Sequence, residues 1–323
     1  MKIQYLEASD FIKKSKDVYI LSHQSPDGDT LGSAFSLYYA FKEFGIRSRV
    51  ICPDSFPERY ELIYDDYIDE EFEPHNIIAV DIADTTLLGS LESIYKNRVQ
   101  LCIDHHVSNV LYAENTLLVA EASATCEVMY ELYSKMGLKI TKKMAECIYV
   151  GIVTDTGCFK YSNTTSRTHQ IASELMSMHS DLNYSKIARD MIDVKSKSRL
   201  KMEQHVVDFM EYYLEDKCTI IAITQDVMDK TGVEHSEFEG ISGLPLQVKG
   251  VEVAVTIKER AENEYKISMR SANHVNVSEI CKKFGGGGHV KAAGCLIKKP
   301  LEETKKLIVE SIQSALEGKN WMV

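Results

Sequence analysis

Four short clusters of histidine and aspartate punctuate the first half of this 323-residue chain: His23-x-x-x-Asp27-x-Asp29, then Asp81, then Asp104-His105-His106, then Asp155. Their imidazoles and carboxylates form a mixed nitrogen and oxygen donor set without thiolate, large enough for two divalent metal ions. Hard carboxylates suit Mn²⁺ or Mg²⁺, and the imidazoles tilt the choice toward Mn²⁺, with Co²⁺, Zn²⁺ and Fe²⁺ also compatible. Two such ions sharing a carboxylate, about 3.5–4 Å apart, serve phosphoryl chemistry by acidifying a water and neutralising charge on the attacking and leaving oxygens. A single Asp after a strand more often caps the next helix than binds a metal. Four clusters that each end an apolar segment of one domain outweigh that blander explanation.

The elements that must position these residues can be read from the pattern around them. Val18-Tyr19-Ile20-Leu21-Ser22-His23 is a β-branched apolar run, followed by a Pro26-Asp27-Gly28-Asp29 turn and a helical pattern from Thr30 to Phe44. Ile77 to Asp81 and Val99 to His106 repeat the grammar of an apolar strand with its polar cluster at the end. Open α/β sheets bind ligands beyond the carboxyl ends of their strands, so the clusters are expected to converge there. Asp155 arrives from the end of a helical pattern, Met144 to Val153, in the turn Thr154-Asp155-Thr156-Gly157.

The expected fold class is α/β: a largely parallel sheet flanked by helices over residues 1–183, with helices near 30–45, 124–137, 142–153 and 166–179. Residues 184–214 read as a charged helical connector, and 215–323 as a smaller C-terminal α+β domain. In that domain strands are expected at 218–223 and 251–257, a half-exposed antiparallel strand at 264–270, and helices at 277–284 and 301–316.

Composition narrows the function. The hydrophobic and charged fractions, 44% and 26%, are those of an ordinary soluble protein. No apolar stretch approaches the roughly 18 residues that span a bilayer, and Met1 to Lys16 lacks a signal-peptide core, so a cytoplasmic enzyme without a membrane partner is expected. The eight cysteines include no C-x-x-C pair, which argues for buried, reduced thiols and against a zinc finger or disulfide scaffold. A formal net charge of −11 argues against broad binding to long nucleic acid. Residues 54–73 hold nine carboxylates against one arginine and read as a solvated face, whereas residues 265–299 hold seven Lys or Arg against Glu279 alone.

That basic segment contains Phe284-Gly285-Gly286-Gly287-Gly288-His289. It follows a helix, so it does not fit the dinucleotide fingerprint, and in isolation it reads as a helix C-cap entering a flexible loop. Beside Arg270, Lys282, Lys283, His289 and Lys291, its backbone N–H groups could instead meet a phosphate. The remaining histidines, 75, 169, 179, 205, 235 and 274, have no partner cluster.

With these motifs in hand, the chain resembles the DHH phosphoesterases, named for the triplet present here as Asp104-His105-His106. Its second half resembles the DHH-associated domain through Met269-Arg270-Ser271 and the stretch Gly285 to Gly294. The resemblance covers nearly the whole chain without departure from the motifs, and its order and length are most similar to the stand-alone nanoRNase branch. It implies that His23, Asp27 and Asp81 hold one Mn²⁺ and that Asp29, Asp81, His105 and Asp155 hold the other, Asp81 being the bridge. His106 would be electrophile or general acid at the scissile phosphate, with Asp104 orienting the histidines. Arg270, Ser271, Gly285, Gly286, Gly287, Gly288 and His289 would grip the substrate.

The implied activity is hydrolysis of oligonucleotides of about 2–5 nucleotides, including pApA or pGpG, to 5′-mononucleotides. The alternative is 3′-dephosphorylation of 3′-phosphoadenosine 5′-phosphate (pAp), which also breaks a P–O3′ bond, so that substrate choice falls to the cleft between the domains. Activity on cyclic dinucleotides ranks lower because the transmembrane and sensory segments of such phosphodiesterases are not seen, and a catalytically silent nucleotide sensor ranks lower because every expected ligand is present. Long duplexes are not expected partners, and a homodimer is compatible with the sequence.

Overall fold

The computed structural model describes residues 1–233 and 241–318, which fall into two compact units, Met1–Val194 and Lys195–Val323. The expected α/β class is found. The first unit is built on five parallel strands, β1 (Val18–Leu21), β2 (Ser48–Ile51), β3 (Asn76–Val80), β4 (Leu101–Asp104) and β5 (Asn115–Leu118), in the order β2-β1-β3-β4-β5. Helices α1 (Tyr5–Lys14), α2 (Gly28–Glu43), α3 (Glu61–Tyr64), α4 (Glu92–Tyr95), α5 (Thr125–Met136), α6 (Lys142–Asp155), α7 (Ser166–Met178) and α8 (Tyr184–Ile192) belong to it.

Parallel sheets must be covered on both faces, so their strands are apolar throughout. In β1, Val18 and Ile20 enter the core that holds Phe35, Phe41 and Tyr133, while Tyr19 and Leu21 enter a second core with Ile77, Ala79, Leu88 and Cys102. The order reverses between β1 and β3, the place where such sheets open a crevice at their carboxyl ends. His23 and Asp81 follow these two neighbouring strands.

Helix α2 is buried nearly all round and lies tightly against α6. Glycine makes the approach possible: a Cβ on Gly32 would stand 2.5 Å from the Cys147 carbonyl oxygen, and one on Gly151 would stand 2.2 Å from Cys126 Sγ and 2.8 Å from Asp29 Oδ1. The crossing brings the first turn of α2, with Asp29, to the last turn of α6, with Asp155. Both helices differ from the sequence expectation at the end nearest the cluster. Helix α2 starts at Gly28 because Asp27 caps it, accepting the N–H groups of Asp29 and Thr30 at 3.0 Å each. Helix α6 runs through the expected turn to Asp155, so that carboxylate sits on the helix itself.

The second unit contains α9 (Lys197–Asp208), β6 (Glu211–Tyr213), β7 (Cys218–Ile223), α10 (Gln225–Thr231), β8 (Val253–Ala261), β9 (Glu264–Ser271), α11 (Val277–Lys282), β10 (Gly287–His289), β11 (Ala292–Lys298) and α12 (Leu301–Leu316). Its sheet has the order β10-β11-β9-β8-β7-β6, antiparallel except for β7 beside β8. The segment expected as a connector is shared, α8 belonging to the first unit and α9 to the second. Strand β9 shows the period-two alternation of a sheet with one wet face: Tyr265, Ile267 and Met269 are buried, Lys266 and Arg270 exposed. The glycine run continues as a short edge strand, β10, because its backbone pairs with β11 in place of a flexible loop.

The acidic run meets cations on its own unit, Asp69 with Arg49, Glu70 with Arg47, Glu73 with Arg98 and Asp65 with Lys143. All eight cysteines are free thiols. Among the described residues, no helix is long and apolar enough to cross a membrane.

Candidate metal centre and phosphate-binding sheet

Asp81 is the pivot of the first unit's cluster. It directly follows β3, is 2% exposed, and has a left-handed backbone with φ 60°. A non-glycine residue there costs on the order of 1–2 kcal/mol, strain of the kind that collects at functional sites. Its N–H donates to the Ile103 carbonyl at 2.9 Å, and its Oδ1 accepts the Thr125 hydroxyl at 2.8 Å. The two carboxylate oxygens face different partners: Oδ2 is 3.7 Å from His23 Nε2, and Oδ1 is 3.8 Å from His105 Nε2.

Both histidines are oriented from behind. Nδ1 of His23 lies 2.8 Å from the Gln24 carbonyl oxygen, and Nδ1 of His105 lies 3.1 Å from that of Ala122. A carbonyl only accepts, so in the neutral rings Nδ1 carries the hydrogen and Nε2 presents a lone pair, as metal-binding imidazoles require. Nε2 of His23 is 3.8 Å from Asp27 Oδ1, and Nε2 of His105 is 3.9 Å from Asp29 Oδ2 and 3.7 Å from Asp155 Oδ2. These separations are too long for hydrogen bonds. They suit donors arranged around one ion at roughly 2.0–2.2 Å each. His23, Asp27 and Asp81 form one group whose donor atoms lie within 4.8 Å of one another, and Asp29, His105 and Asp155 form another.

Asp29 is 2% exposed and serves α5 as well as the cluster. That helix follows Ala124, which has no capping side chain, and the missing acceptor arrives from α2: the oxygens of Asp29 take the N–H groups of Thr125 at 2.7 Å and Cys126 at 2.9 Å. The electrostatics mark a site with surplus negative charge. Burial, then Asp81, Asp155 and Asp27, push the Asp29 carboxyl well up, and burial carries Asp155 up to about 7 against the pull of His105. For His23 burial works downward, but Asp81 and Asp27 bring it up to about 9. Burial likewise opposes Asp81, which His23, His106 and His105 nevertheless hold below its ordinary value. Divalent cations would balance that surplus negative charge, and the donor set fits such ions.

His106 is held differently. Its Nδ1 is 2.7 Å from Asp104 Oδ1, while Asp81 Oδ1 is farther, at 3.6 Å. Asp104 and Asp81 outweigh burial and raise His106 to about 9. Asp104 is fully buried, takes the N–H groups of His105 and His106 at 2.8 and 3.2 Å, and receives the Asn109 amide on Oδ2 at 2.6 Å. The result is a chain of contacts from Asn109 through Asp104 to His106. Asn109, Thr125 and Asn163, whose amide lies 3.3 Å from Asp155 Oδ2, are the neighbours that sequence reasoning missed. Each is a lone polar residue in a turn or first helical turn, and only Asn109, five residues beyond Asp104 in a strand-end loop, had a position that could have flagged it.

The residues expected to grip substrate gather in the second unit. Arg270 on β9 stands opposite Ala292 on β11, which stands opposite His289 on β10. Directly opposed residues share a face, so Arg270 and His289 stand about 10 Å apart on one face with the Ala292 methyl between them. Ser271 is 5% exposed and its hydroxyl donates to the Val275 carbonyl at 2.7 Å, bracing the following turn. Gly286 approaches β11 so closely that a Cβ would meet the Gly294 carbonyl oxygen at 2.1 Å. The Ser278 hydroxyl donates to the Gly288 carbonyl at 2.8 Å, and the Lys291 ammonium to that of Asn273.

Just before β8 lies another residue the sequence did not announce. Glu252, 4% exposed, accepts the N–H groups of Asn273, His274 and Val275 at 3.2, 2.7 and 2.9 Å and the Asn273 side-chain amide at 3.0 Å. Burial would raise its carboxyl, but these donors, Val275 foremost, hold it down at about 2. Of the histidines set aside, His169 stacks on Phe159 and His205 on Phe209, and His235 lies outside the described residues.

Comparison with known proteins bears on both units. Residues 17–152 match the model of the DHH family N-terminal domain, and residues 217–318 match that of the DHHA1 domain. The bifunctional oligoribonuclease and PAP phosphatase NrnA of Thermus thermophilus is 28% identical over 310 residues, covering 93% of this chain and 90% of that protein. Its Bacillus subtilis namesake is 27% identical, covering 85% and 87%. An exopolyphosphatase-related protein from Bacteroides fragilis superimposes with a TM-score of 0.85 at 28% identity, covering 96% of this chain and 95% of its own. The exonuclease RecJ bound to manganese, at 13% identity and a TM-score of 0.55, shares the fold.

Proposed function

From a chain that belongs to the DHH family, with that family's N-terminal domain followed by a DHHA1 domain, we infer a hydrolase of phosphoester bonds that cleaves very short oligonucleotides, about 2–5 nucleotides long, to 5′-mononucleotides. The relatives named as bifunctional support a second substrate, pAp, because removal of its 3′-phosphate breaks the same P–O3′ bond.

One observation carries the two-metal part of this reading. Asp81 turns one oxygen toward His23 and the other toward His105, the posture of a carboxylate shared by two ions. His23 and Asp27 would complete one site, and Asp29, His105 and Asp155 the other. Bound divalent ions supply Lewis acidity, acidifying a water and neutralising charge on the phosphate. Mn²⁺ suits the mixture of imidazole and carboxylate better than Mg²⁺.

The chain's own residues do the rest. Asp104 fixes the Nδ1–H of His106, leaving Nε2 to polarise the phosphate or give a proton to the departing O3′. Arg270 and His289 would bind a phosphate or sugar edge, with the Gly285–Gly288 backbone beside them. Cytoplasmic location, action without membrane or long-duplex partners, and a homodimeric state complete the proposal.

The test is a turnover series on 5′-phosphorylated oligoribonucleotides from two to about 20 nucleotides, with pAp alongside and Mn²⁺ or Mg²⁺ supplied. The expected optimum is at two to five nucleotides. A rate that keeps rising with length would favour a processive nuclease, and activity on pAp alone would favour the phosphatase.

A further inference from the structure

Immediately after Asp155 the backbone does something costly. Gly157, Cys158 and Phe159 have φ of 55°, 57° and 63°, a full left-handed turn in which two of the three residues carry side chains. Each such residue costs on the order of 1–2 kcal/mol. The turn is tied down by Cys158 N–H to the Val153 carbonyl at 2.7 Å, Phe159 N–H to the Thr156 hydroxyl at 3.0 Å, and Tyr161 N–H to the Thr156 carbonyl at 3.0 Å. Phe159 is anchored by stacking on His169, with ring centroids 5.1 Å apart.

What this turn delivers is Tyr161. Its ring lies over Gly157: a Cβ on that glycine would fall 2.4 Å from Tyr161 Cζ and 2.7 Å from both Cε atoms. Tyr161 is nevertheless 60% exposed, and among the described residues its hydroxyl has no hydrogen-bond partner. An aromatic ring backed by a glycine and open to water, six residues from a carboxylate of the metal cluster, is poorly explained by packing. It has the form of a stacking platform, and strain beside a reactive centre points to use.

Resting on the phosphoesterase reading above, we propose that Tyr161 stacks against a nucleobase of the substrate and so selects nucleotides over other phosphoesters. Every base has a π-face, so the contact recognises nucleotides without reading their sequence.

The experiment is a cycle between ring and base. Wild type, Tyr161→Phe and Tyr161→Leu are assayed on 5′-phosphorylated diadenylate, on the same dinucleotide with an abasic ribose at either position, and on the doubly abasic form, with thermal midpoints and metal content recorded. Tyr161→Leu is expected to raise KM for diadenylate roughly 5- to 150-fold while Tyr161→Phe stays within about twofold. The penalty should vanish on the substrate that lacks the stacked base. An equal rise on diadenylate and the doubly abasic form, or lost metal content in Tyr161→Leu, would make the ring a brace for the turn and overturn the proposal. Unchanged KM in Tyr161→Leu would overturn it while leaving the phosphoesterase reading intact. Failure of the wild type to cleave diadenylate would instead remove that reading, and this one with it.

Discussion

Asp81 shows how one residue can be constrained twice, by its charge and by its backbone. At φ 60° an alanine would combine loss of the carboxylate with backbone strain, whereas asparagine tolerates this region and preserves the shape. Asp81→Asn is therefore the cleaner probe, and it should empty both metal positions and lower turnover by about 10³-fold or more. Metal analysis beside steady-state rates checks this, and near-normal stoichiometry with near-normal turnover would remove Asp81 from the bridging role. The two adjacent histidines should separate in the same assays. His105→Ala is expected to lose metal because its Nε2 faces Asp29, Asp81 and Asp155. His106→Ala should keep metal and lose kcat, since Asp104 already occupies its Nδ1. Equal metal loss in both would show that His106 is a ligand.

At the scale of elements, the site depends on how closely α2 can lie against α6. Gly151→Ala introduces a methyl group 2.2 Å from Cys126 Sγ and 2.8 Å from Asp29 Oδ1. Overpacking of this kind costs about 1–3 kcal/mol, and here it would also displace Asp29, a proposed metal ligand. The expected result is a lower thermal midpoint together with weaker metal affinity, while a midpoint shift without an affinity change would mean the helices adjust elsewhere. In the second unit Glu252 holds the turn after β9. Its folded pKa is depressed to about 2, so its stabilising effect is complete above its unfolded value near 4.3 and is lost as pH falls through about 2. The gap in unfolding free energy between wild type and Glu252→Gln, on the order of 2–3 kcal/mol at pH 6, should shrink steadily between pH 4.5 and 2. A pH-independent gap would remove ionisation as the cause.

These elements also mark what could be read from the sequence. The clusters proposed to hold metal could be picked out because they follow apolar runs, and the parallel sheet gathers its strand ends at one edge. The helices at 125–136 and 166–178 fell within two residues of their expected bounds because their caps and periodicity are local. Glu252 was hidden because its partners are 21 to 23 residues away, across β8 and β9, and nothing in the intervening sequence records that contact. Thr125 was hidden for the same reason, since its partner Asp81 lies 44 residues away and meets it only through the convergence of elements. Gly157 marked a turn after Asp155, but the left-handed continuation through Cys158 and Phe159 left no sign, as those are not residues that favour it.

For the molecule as a whole, the net charge of −11 is met in the first unit by a buried cluster that itself carries surplus carboxylate. Ions that bind the folded state stabilise it by RT ln(1 + [L]/Kd), about 2.7 kcal/mol at a hundredfold excess over Kd. Chelation should therefore lower the thermal midpoint, added Mn²⁺ should restore it, and Asp81→Asn should respond to neither. A chelator-insensitive wild type would show that the carboxylates fold without cations.

The order of the ligands along the chain has a consequence for biosynthesis. They run from His23 to Asp155, and the strands of the second sheet begin only at Glu211. On a ribosome the last carboxylate proposed to bind metal emerges before any strand that carries Arg270 or His289 has been made. Domains fold as units in the order of synthesis. Cation uptake can thus precede completion of the polypeptide, and the half that would grip substrate is added to a centre already assembled.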